Sequence, residues 1–388
     1  MTSPLRSLRH RLASLVAVAG LILTTFTGLV VLSPSAQAVS RGCSSTPFRA
    51  SPKNHTWFRV PAVVKTKSGA LLAFAERRDR ELGDLGNFDI VYTRSTDGGC
   101  SWSHYRVIGN DGRNRVSNPV PIVDQATGRI LLFSVVTPRS SSGQGKGLYL
   151  QASSNDGLSF SPLLANPVRP LGHYKGGLTG PGHAIQLSVT HQGRIIVPLG
   201  YKTSRGLYGA YGIYSDDHGS SWRTGFDQQD TSGKYDLMEG TIAELPSGKL
   251  FISFRLKQDL ARAGTARQYA ISSDGGESLD ARFRRLPLTI VSVQGSALGL
   301  NGSHHKQLLF SAPSDTRRNL RRDMAIFVST TGGRSWSKGY RVESASNPAS
   351  YSDLVQLNDR SVGVIYETGR LKWKERIAFQ RITIPASA

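Results

Sequence analysis

The stretch SDDHGSSW at residues 215–222 is one of five similar octets in the sequence, with the pattern Ser-x-Asp-x-Gly-x-Ser followed by an apolar residue and with Asn or Thr in place of Asp in two of them. The other four begin at Ser95, Ser153, Ser272 and Ser329, so that successive octets start 58, 62, 57 and 57 residues apart. Recurrence at a fixed period is typical of proteins built from repeated structural units. We therefore expect each octet to mark one unit.

The residue types of the octet suit a tight turn between two β-strands. An Asp at the third position can accept hydrogen bonds from backbone N–H groups of its own turn, and a Gly at the fifth position tolerates positive φ. The aromatic residue that ends most copies, such as Trp222, can then pack on the scaffold. The octet is thus predicted to be structural rather than catalytic.

The first 38 residues have the pattern of a secretory signal peptide. Three arginines within the first 11 residues are followed by a mostly apolar stretch from Leu12 to Leu32 and by the sequence AQA at residues 36–38. We expect cleavage after Ala38 and export of a mature chain without a membrane segment. The alternative, an uncleaved membrane anchor, is disfavoured because no stop-transfer charges follow the apolar stretch.

The remaining 350 residues, at about 58 residues per unit, accommodate six units. Between the octets lie short apolar or alternating runs bounded by Gly, Pro and Asn, which are typical of strands and lack helical periodicity. Examples are residues 130–136, 195–199, 250–254, 307–310 and 362–366. Units of four antiparallel strands at this period predict an all-β fold, a six-bladed β-propeller that occupies residues 39–388 as one domain. The alternative, a β-sandwich, would not explain the periodic octets.

Cysteine content and charge restrict the possible functions. Cys43 and Cys100 can pair in an oxidising compartment or remain free thiols. Two cysteines cannot form a metal cluster, and the histidines lack metal-binding spacing apart from the adjacent pair His304 and His305, so we expect no metal or cofactor. The net charge of +21, or +18 without the three signal-peptide arginines, is spread along the chain and accompanies no nucleic-acid-binding motif. An anionic substrate or cell surface accounts for it, and nucleic acid is not an expected partner.

Several charged residues stand next to apolar, strand-like runs, where a charge must face a polar site. Arg59 lies in the sequence FRVP at residues 58–61, Glu239 in LMEGT at residues 237–241, and Arg255 directly after an apolar run. Each is, by itself, equally compatible with an ordinary surface position. By itself, the loop residue Asp84 is more typical of a turn former, Tyr351 of a core or edge position, and the arginine cluster of a solvated face, at positions 317, 318, 321 and 322.

Taken together, these residues make the sequence resemble the bacterial exo-α-sialidases of the six-bladed propeller type, over a region from about Phe58 to Glu367. The octets correspond to the Asp-boxes of that family. Asn155 and Thr331 stand where the Asp-box Asp is expected, which predicts looser turns in two blades. The segment GPGHAIQ at residues 180–186 also resembles a family segment at the cleft.

The resemblance implies an arginine triad that binds the carboxylate of the substrate. Arg59 matches the first member, in the family's F/Y-R-I-P motif, and Arg255 the second, after the E-L-x-x-G segment at residues 244–248. The family's third arginine lies eight residues before the last Asp-box serine, which indicates Arg321, with Arg318 and Arg322 as alternatives.

The resemblance also assigns the residues that perform the chemistry. Asp84, six residues after Arg78 of the A-E-x-R segment, would be the acid/base, with Arg78 among the substrate-binding residues. Tyr351 of the Y-S-D-L segment would be the nucleophile and Glu239 its base. Glu367 would buttress the first arginine. All of these residues lie outside the octets, in agreement with a propeller whose turns occupy one rim and whose site occupies the other.

The chemistry explains these residue types. Sialic acid carries a carboxylate on its anomeric carbon, so a neutral tyrosine avoids the repulsion that a carboxylate nucleophile would meet. Sialidases are therefore an exception to the two-carboxylate scheme of glycosidases. The resemblance implies a secreted, monomeric hydrolase of terminal sialic acids that acts on sialylated glycans with retention. The alternatives are a non-catalytic sialic-acid-binding lectin, a trans-sialidase, and a hydrolase of a related anionic sugar.

Overall fold

A computed structural model of the protein describes residues 42–79, 83–84, 86–112, 114–138, 147–168, 177–203, 205–229, 236–256, 267–302, 307–317 and 320–384. In these ranges the chain forms 25 β-strands and one short 3-10 helix, Pro52–Asn54. None of the described segments is a helix long and apolar enough to cross a bilayer. The predicted signal peptide, residues 1–38, lies outside the described residues.

The strands form six antiparallel sheets. In each sheet four strands lie side by side, and one sheet has a fifth, short strand as well. The first strand of the described residues, β1 (Ser44–Arg49), belongs to the last sheet. The first blade contains β2 (Trp57–Lys65), β3 (Leu71–Arg78), β4 (Phe88–Ser95) and β5 (Arg106–Gly109), and the second contains β6 (Arg115–Val123), β7 (Ile130–Thr137), β8 (Gly147–Ser153) and β9 (Pro167–Val168). The third blade contains β10 (Gly177–Thr179), β12 (Ile195–Lys202), β13 (Tyr208–Ser215) and β14 (Arg223–Gln229), and the two-residue strand β11 (Ile185–Gln186) also pairs with β12.

The remaining three blades follow the same order. The fourth contains β15 (Leu237–Glu244), β16 (Leu250–Leu256), β17 (Arg267–Ser272) and β18 (Arg284–Arg285), and the fifth contains β19 (Ser296–Gly299), β20 (Leu308–Pro313), β21 (Met324–Ser329) and β22 (Ser337–Arg341). The sixth contains β23 (Ala349–Asn358), β24 (Ser361–Thr368) and β25 (Arg376–Thr383), with β1 as its fourth strand.

The first strands of successive blades contact one another around the axis, and β23 contacts β2 to close the ring. The predicted six-bladed propeller is thus confirmed. The sixth blade combines both ends of the described chain, because β1 pairs antiparallel with β25. This pairing explains why six blades carry five octets. In the other blades the octet connects the third strand to the fourth, whereas in the sixth blade these strands are β25 and β1, which no turn connects. Cys43, just before β1, forms a disulfide with Cys100 of the first octet, with their Cα atoms 5.4 Å apart.

The octets form the expected turns. In the third octet, Asp217 accepts the Ser221 backbone N–H at 2.8 Å and the Ser221 hydroxyl at 2.6 Å. Ser215 donates its hydroxyl to the same carboxylate at 2.7 Å, and Gly219 has a φ of 83°. These hydrogen bonds lower the pKa of Asp217 to about 2.

The looser turns expected at Asn155 and Thr331 are not observed. The side-chain oxygen of Asn155 accepts the backbone N–H of Ser159 at 3.0 Å, and that of Thr331 accepts the backbone N–H of Ser335 at 2.9 Å. One side-chain acceptor of suitable length therefore closes the turn, and the negative charge of Asp is not required.

The aromatic residues that end four of the octets pack on the preceding blade. The ring centroid of Trp222 lies 4.9 Å from that of Phe133 in the blade before it. The ring centroid of Trp336 lies 5.9 Å from that of Phe251 in the blade before it and 6.0 Å from that of Phe310 in its own blade. Trp102 of the first blade packs on the last blade at 5.5 Å from the Phe379 ring. These four octets thus join their blades to the neighbouring blades by burying aromatic surface.

Asp353, next to the axis on β23, joins three other blades. Its fully buried carboxylate accepts the Val63 backbone N–H at 2.9 Å and the Ser296 hydroxyl at 2.7 Å, and contacts Nδ1 of His183 at 2.7 Å. Burial alone would lower the pKa of His183, but the charge and hydrogen bond of Asp353 outweigh burial and raise it. The ion pair is therefore an internal link across the ring.

The direction of this pKa shift predicts how stability depends on pH. Because the pKa of His183 is higher in the folded than in the unfolded chain, the stabilisation is complete below the unfolded value of about 6.5 and is lost as pH rises through the folded value. We expect His183→Gln to reduce the free energy of unfolding more at about pH 5.5 than at about pH 9, as measured by urea denaturation.

The matched control is His104→Gln, at an exposed position on the octet side. Its effect should be small and independent of pH. If the His183→Gln effect were the same at both pH values, the ion pair with Asp353 would be refuted.

Candidate active site

Six of the eight residues selected from the sequence meet at the end of the propeller opposite the octets. They come from four blades: Arg59 from the first, Glu239 and Arg255 from the fourth, Arg321 from the fifth, and Tyr351 and Glu367 from the sixth. Four of the first strands have a register shift at this end, among them β2, β15 and β23, which carry site residues. Such bulges redirect side chains relative to the regular pleat.

Tyr351 and Glu239 form the centre of this group. The phenol of Tyr351 donates a hydrogen bond to Oε1 of Glu239, and the other carboxylate oxygen accepts one from Nη1 of Arg255 at 2.7 Å. The same guanidinium nitrogen lies 3.3 Å from the phenol oxygen. Burial raises the pKa of Tyr351, and the negative charge of Glu239 adds to this effect, against the opposing charges of Arg255 and Arg59. Tyr351 is therefore a neutral phenol at physiological pH.

Arg59 is held by Glu367. Nε of Arg59 lies 2.7 Å from the fully buried Glu367 carboxylate, which also accepts the backbone N–H of Val60 at 2.8 Å. Val60 has a φ of 56°, a value that a β-branched residue rarely adopts, and its side chain packs beside Tyr351 and Val293. Such a conformation persists only where the surrounding structure enforces it. The hydrogen bond to Glu367 thus fixes both the side chain of Arg59 and the backbone that follows it.

Arg321 completes the group of arginines. It precedes β21, its Nη1 lies 3.3 Å from the Ser350 hydroxyl, and its guanidinium carbon lies 5.4 Å from the Trp373 ring centroid. Burial lowers the pKa of Arg321. Arg322 is exposed, and Arg318 lies outside the described residues. Of the two described alternatives, the structure therefore brings Arg321 to the site.

The site carries more positive than negative charge. Arg59, Arg255 and Arg321 together face the carboxylates of Glu239 and Glu367, and within the described chain Arg321 forms no ion pair. Nε of Arg255 is buried and has no hydrogen-bond partner among the described residues. The arrangement therefore offers guanidinium donors and net positive charge to an anionic group.

Asp84 and Arg78 lie at the edge of the first blade. The Asp84 side chain is 88% exposed, and its carboxylate is 3.1 Å from Nη1 of Arg78. Arg78 is fixed by the buried Glu76, 2.9 Å from its Nε, and by the Phe88 ring, 4.1 Å from its guanidinium carbon. Arg78 thus positions Asp84, and the assignment of Arg78 to substrate binding remains a prediction.

Two further residues at the site were not found from the sequence. Trp373, between β24 and β25, lies 4.2 Å from the guanidinium carbon of Arg59. Arg267 is 1% exposed and donates hydrogen bonds to the backbone carbonyls of Glu239 and Val293, at 3.1 and 3.3 Å. Burial lowers the pKa of Arg267 to about 9. A tryptophan between two lysines was a usable signal, whereas Arg267 resembles any arginine at the start of a strand.

No group of three or more potential metal ligands occurs in the part of the chain that the structure describes. The adjacent histidines His304 and His305, the one sequence signal for a metal, lie outside that part.

Comparisons with known proteins agree with this geometry. The model of the BNR repeat-like domain family matches residues 69–365. A sialidase of Micromonospora viridifaciens is 30% identical over 340 residues, covering 80% of this chain and 50% of its own, and a sialidase of Bacteroides fragilis is 26% identical over 350 residues, covering 81% and 60%. The chain thus spans about half to three fifths of these relatives.

Among solved structures, the Hadza microbial sialidase Hz136 superimposes with a TM-score of 0.71 at 23% sequence identity, over 88% of this chain and 68% of that one. At this identity the similarity concerns the fold. The family match covers most of the sequence, includes all five octets and is supported by sialidase relatives. The chain therefore belongs to the BNR repeat-like domain family, as a six-bladed propeller related to the sialidases.

Proposed function

We propose that the protein is an exo-α-sialidase that hydrolyses terminal sialic acids of glycoconjugates. The observation that carries this proposal is the neutral Tyr351, hydrogen-bonded to Glu239 and placed beside three arginines that exceed the nearby carboxylates in charge. A sugar with a carboxylate on its anomeric carbon needs both features at once. Relatives that are named sialidases support the same conclusion.

Substrate binding would use the guanidinium groups. Arg255 uses the terminal nitrogen Nη1 for Glu239, and Arg321 uses Nη1 for Ser350, so each has its other terminal nitrogen left for a carboxylate. Charge-assisted bonds of this type are short and directional, and they fix the orientation of the sugar ring. Glu367 keeps Arg59 in place. The Glu367 carboxylate is itself fixed, because it also accepts hydrogen bonds from the backbone N–H groups of Val60 and Tyr351.

In the first chemical step, the Tyr351 phenol oxygen would attack the anomeric carbon while its proton passes to Glu239, to which it is already hydrogen-bonded. The bond between the anomeric carbon and the aglycone oxygen breaks, and Asp84 donates a proton to that oxygen. Two carboxylic groups thus divide the proton transfers, and the product of this step is a sialyl-tyrosine with a free aglycone.

In the second step, Asp84 would accept a proton from a water molecule that attacks the same carbon, and the phenol oxygen recovers its proton from Glu239. Two displacements at one carbon give net retention. The exposure of Asp84 is compatible with contact to both the aglycone and water, and Arg78 holds its carboxylate at 3.1 Å.

We propose that the mature protein acts outside the cell. The signal-peptide pattern of residues 1–38 supports export, and the Cys43–Cys100 disulfide suits an oxidising compartment. The expected partners are sialylated glycans.

Replacing the proposed nucleophile tests the mechanism. We expect Tyr351→Phe to lower kcat for a fluorogenic N-acetylneuraminide on the order of 10³-fold, because the phenol oxygen makes the bond that defines the first step. Tyr340→Phe, on the outer strand of the fifth blade, is the matched control and should retain full activity.

Undiminished turnover by Tyr351→Phe would remove Tyr351 from the nucleophile role. If folded wild-type protein released no fluorophore from this substrate, the hydrolase would be refuted and the lectin alternative favoured. If sialic acid were recovered on added lactose rather than as the free sugar, the trans-sialidase alternative would be correct.

Replacing the adjacent residues Arg321 and Arg322 separately tests which of them is the third arginine. Arg321→Ala should raise KM about tenfold or more, because a charge-assisted bond to the substrate carboxylate is lost, whereas the exposed Arg322→Ala should change KM less than about twofold. Steady-state kinetics on the same substrate measure both. The reverse order of effects would assign the role to Arg322.

A further inference from the structure

A second charged cavity lies at the other end of the propeller, where the fourth and fifth blades meet. Its volume is about 550 Å³. Its floor is apolar and includes Leu245, Ile271 and Leu308, and its rim carries Lys249, Arg282, Arg284 and Arg334, with Asp280. We call this set of residues the basic groove. It adjoins the turn between β15 and β16 and the fifth octet, and both lie on the octet side.

The preceding junction, between the third and fourth blades, has the same construction, but its cation is paired with carboxylates. There Arg194, directly before β12, forms ion pairs with Asp216 at 2.7 Å and with Glu277 at 2.8 Å. Asp216 is the second residue of its octet, and Glu277 is the sixth residue of the next octet. One cation is therefore enclosed by two carboxylates.

At the basic groove, each of these three positions has changed. Lys249, directly before β16, replaces Arg194; Ser273 replaces Asp216; and Arg334 replaces Glu277. Both carboxylates of the neighbouring junction are lost, and one of them becomes a cation. Thr331 removes a further carboxylate, because it stands at the Asp position of the fifth octet.

The remaining carboxylate compensates only part of this charge. Asp280 accepts the Ser273 hydroxyl at 2.6 Å and lies 3.6 Å from the Lys249 amine. Arg282, Arg284 and Arg334 are exposed, and in the described chain none of them forms an ion pair. Arg334 donates only to the Thr331 carbonyl, at 3.1 Å, and the guanidinium carbon of Arg284 lies 4.9 Å from the Tyr269 ring centroid. Three uncompensated cations thus surround an apolar floor.

We propose that the basic groove binds an acidic saccharide, with a carboxylate on Arg282 and Arg334 and the apolar face of the sugar on the floor of Leu245, Ile271 and Leu308. A cavity of about 550 Å³ suits one or two sugar residues. An extended nucleic acid would instead need cations in a continuous track. The groove lies at the opposite end from Tyr351, so this binding goes beyond the proposed hydrolase and does not depend on it.

The test uses the full-length mature protein and a hydrolysis-resistant S-linked methyl α-sialoside in titration calorimetry. Wild-type protein should bind it at two sites per chain, one in the cleft and one in the groove. We expect Arg282→Glu combined with Arg334→Glu to weaken groove binding about tenfold or more, because two charge-assisted bonds are lost. Arg334→Glu reproduces the residue type of Glu277, so the fold should tolerate it.

The control is Arg223→Glu, which makes the same substitution once, and so half of the charge change, at an exposed residue on the octet side of the third blade. Both variants should keep the wild-type unfolding temperature, and both should hydrolyse a fluorogenic sialoside at the wild-type rate. Loss of groove binding only in the double variant supports the proposal.

The proposal is overturned if the double variant binds as the wild type does, or if the wild type has a single site that Arg321→Ala abolishes. It is also overturned if neutral methyl lactoside binds the groove equally well, or if single-stranded DNA binds there more tightly than the sialoside. An inactive wild-type enzyme that retains groove binding would refute the hydrolase and leave this inference intact.

Discussion

The hydrogen bond from Tyr351 to Glu239 depends on a closed ring of blades. The two residues are 112 positions apart in sequence and belong to the sixth and fourth blades. They meet because the first strand of each blade lies beside the axis and because β1 completes the last blade. Arg59 and Glu367, which are 308 positions apart, meet across the same closure. Opening the ring would therefore separate both pairs.

Burial of these pairs determines the chemistry that the site can perform. A buried carboxylate needs a charged partner, and Glu239 and Glu367 obtain theirs from Arg255 and Arg59. Burial also keeps the phenol of Tyr351 protonated, with an acceptor in place for its proton. Arg321 has no carboxylate partner within the described chain, so the site has an excess of positive charge. The same interactions that stabilise the interior thus provide a neutral nucleophile and a binding site for an anion.

The sequence was most informative where the signal was local. The octets predicted the turns, their spacing predicted six blades, and short motifs selected Arg59, Arg255 and Tyr351. It was least informative where contacts are long-range. The pairing of Cys43 with Cys100 was left open, and Arg267 carries no local signal for its position. The expected loosening at Asn155 and Thr331 was wrong, because a neutral side-chain oxygen closes the turn as Asp does.

Trapping the covalent intermediate tests the central claim most directly. A sialosyl fluoride with a second fluorine at carbon 3 has a good leaving group for the first step and an electronegative substituent that slows the second, so the sialyl-enzyme accumulates. After proteolysis and mass spectrometry, the account predicts one sialyl adduct, located on Tyr351. An adduct on another residue, such as Glu239, or the absence of any adduct in an actively hydrolysing protein, would contradict it.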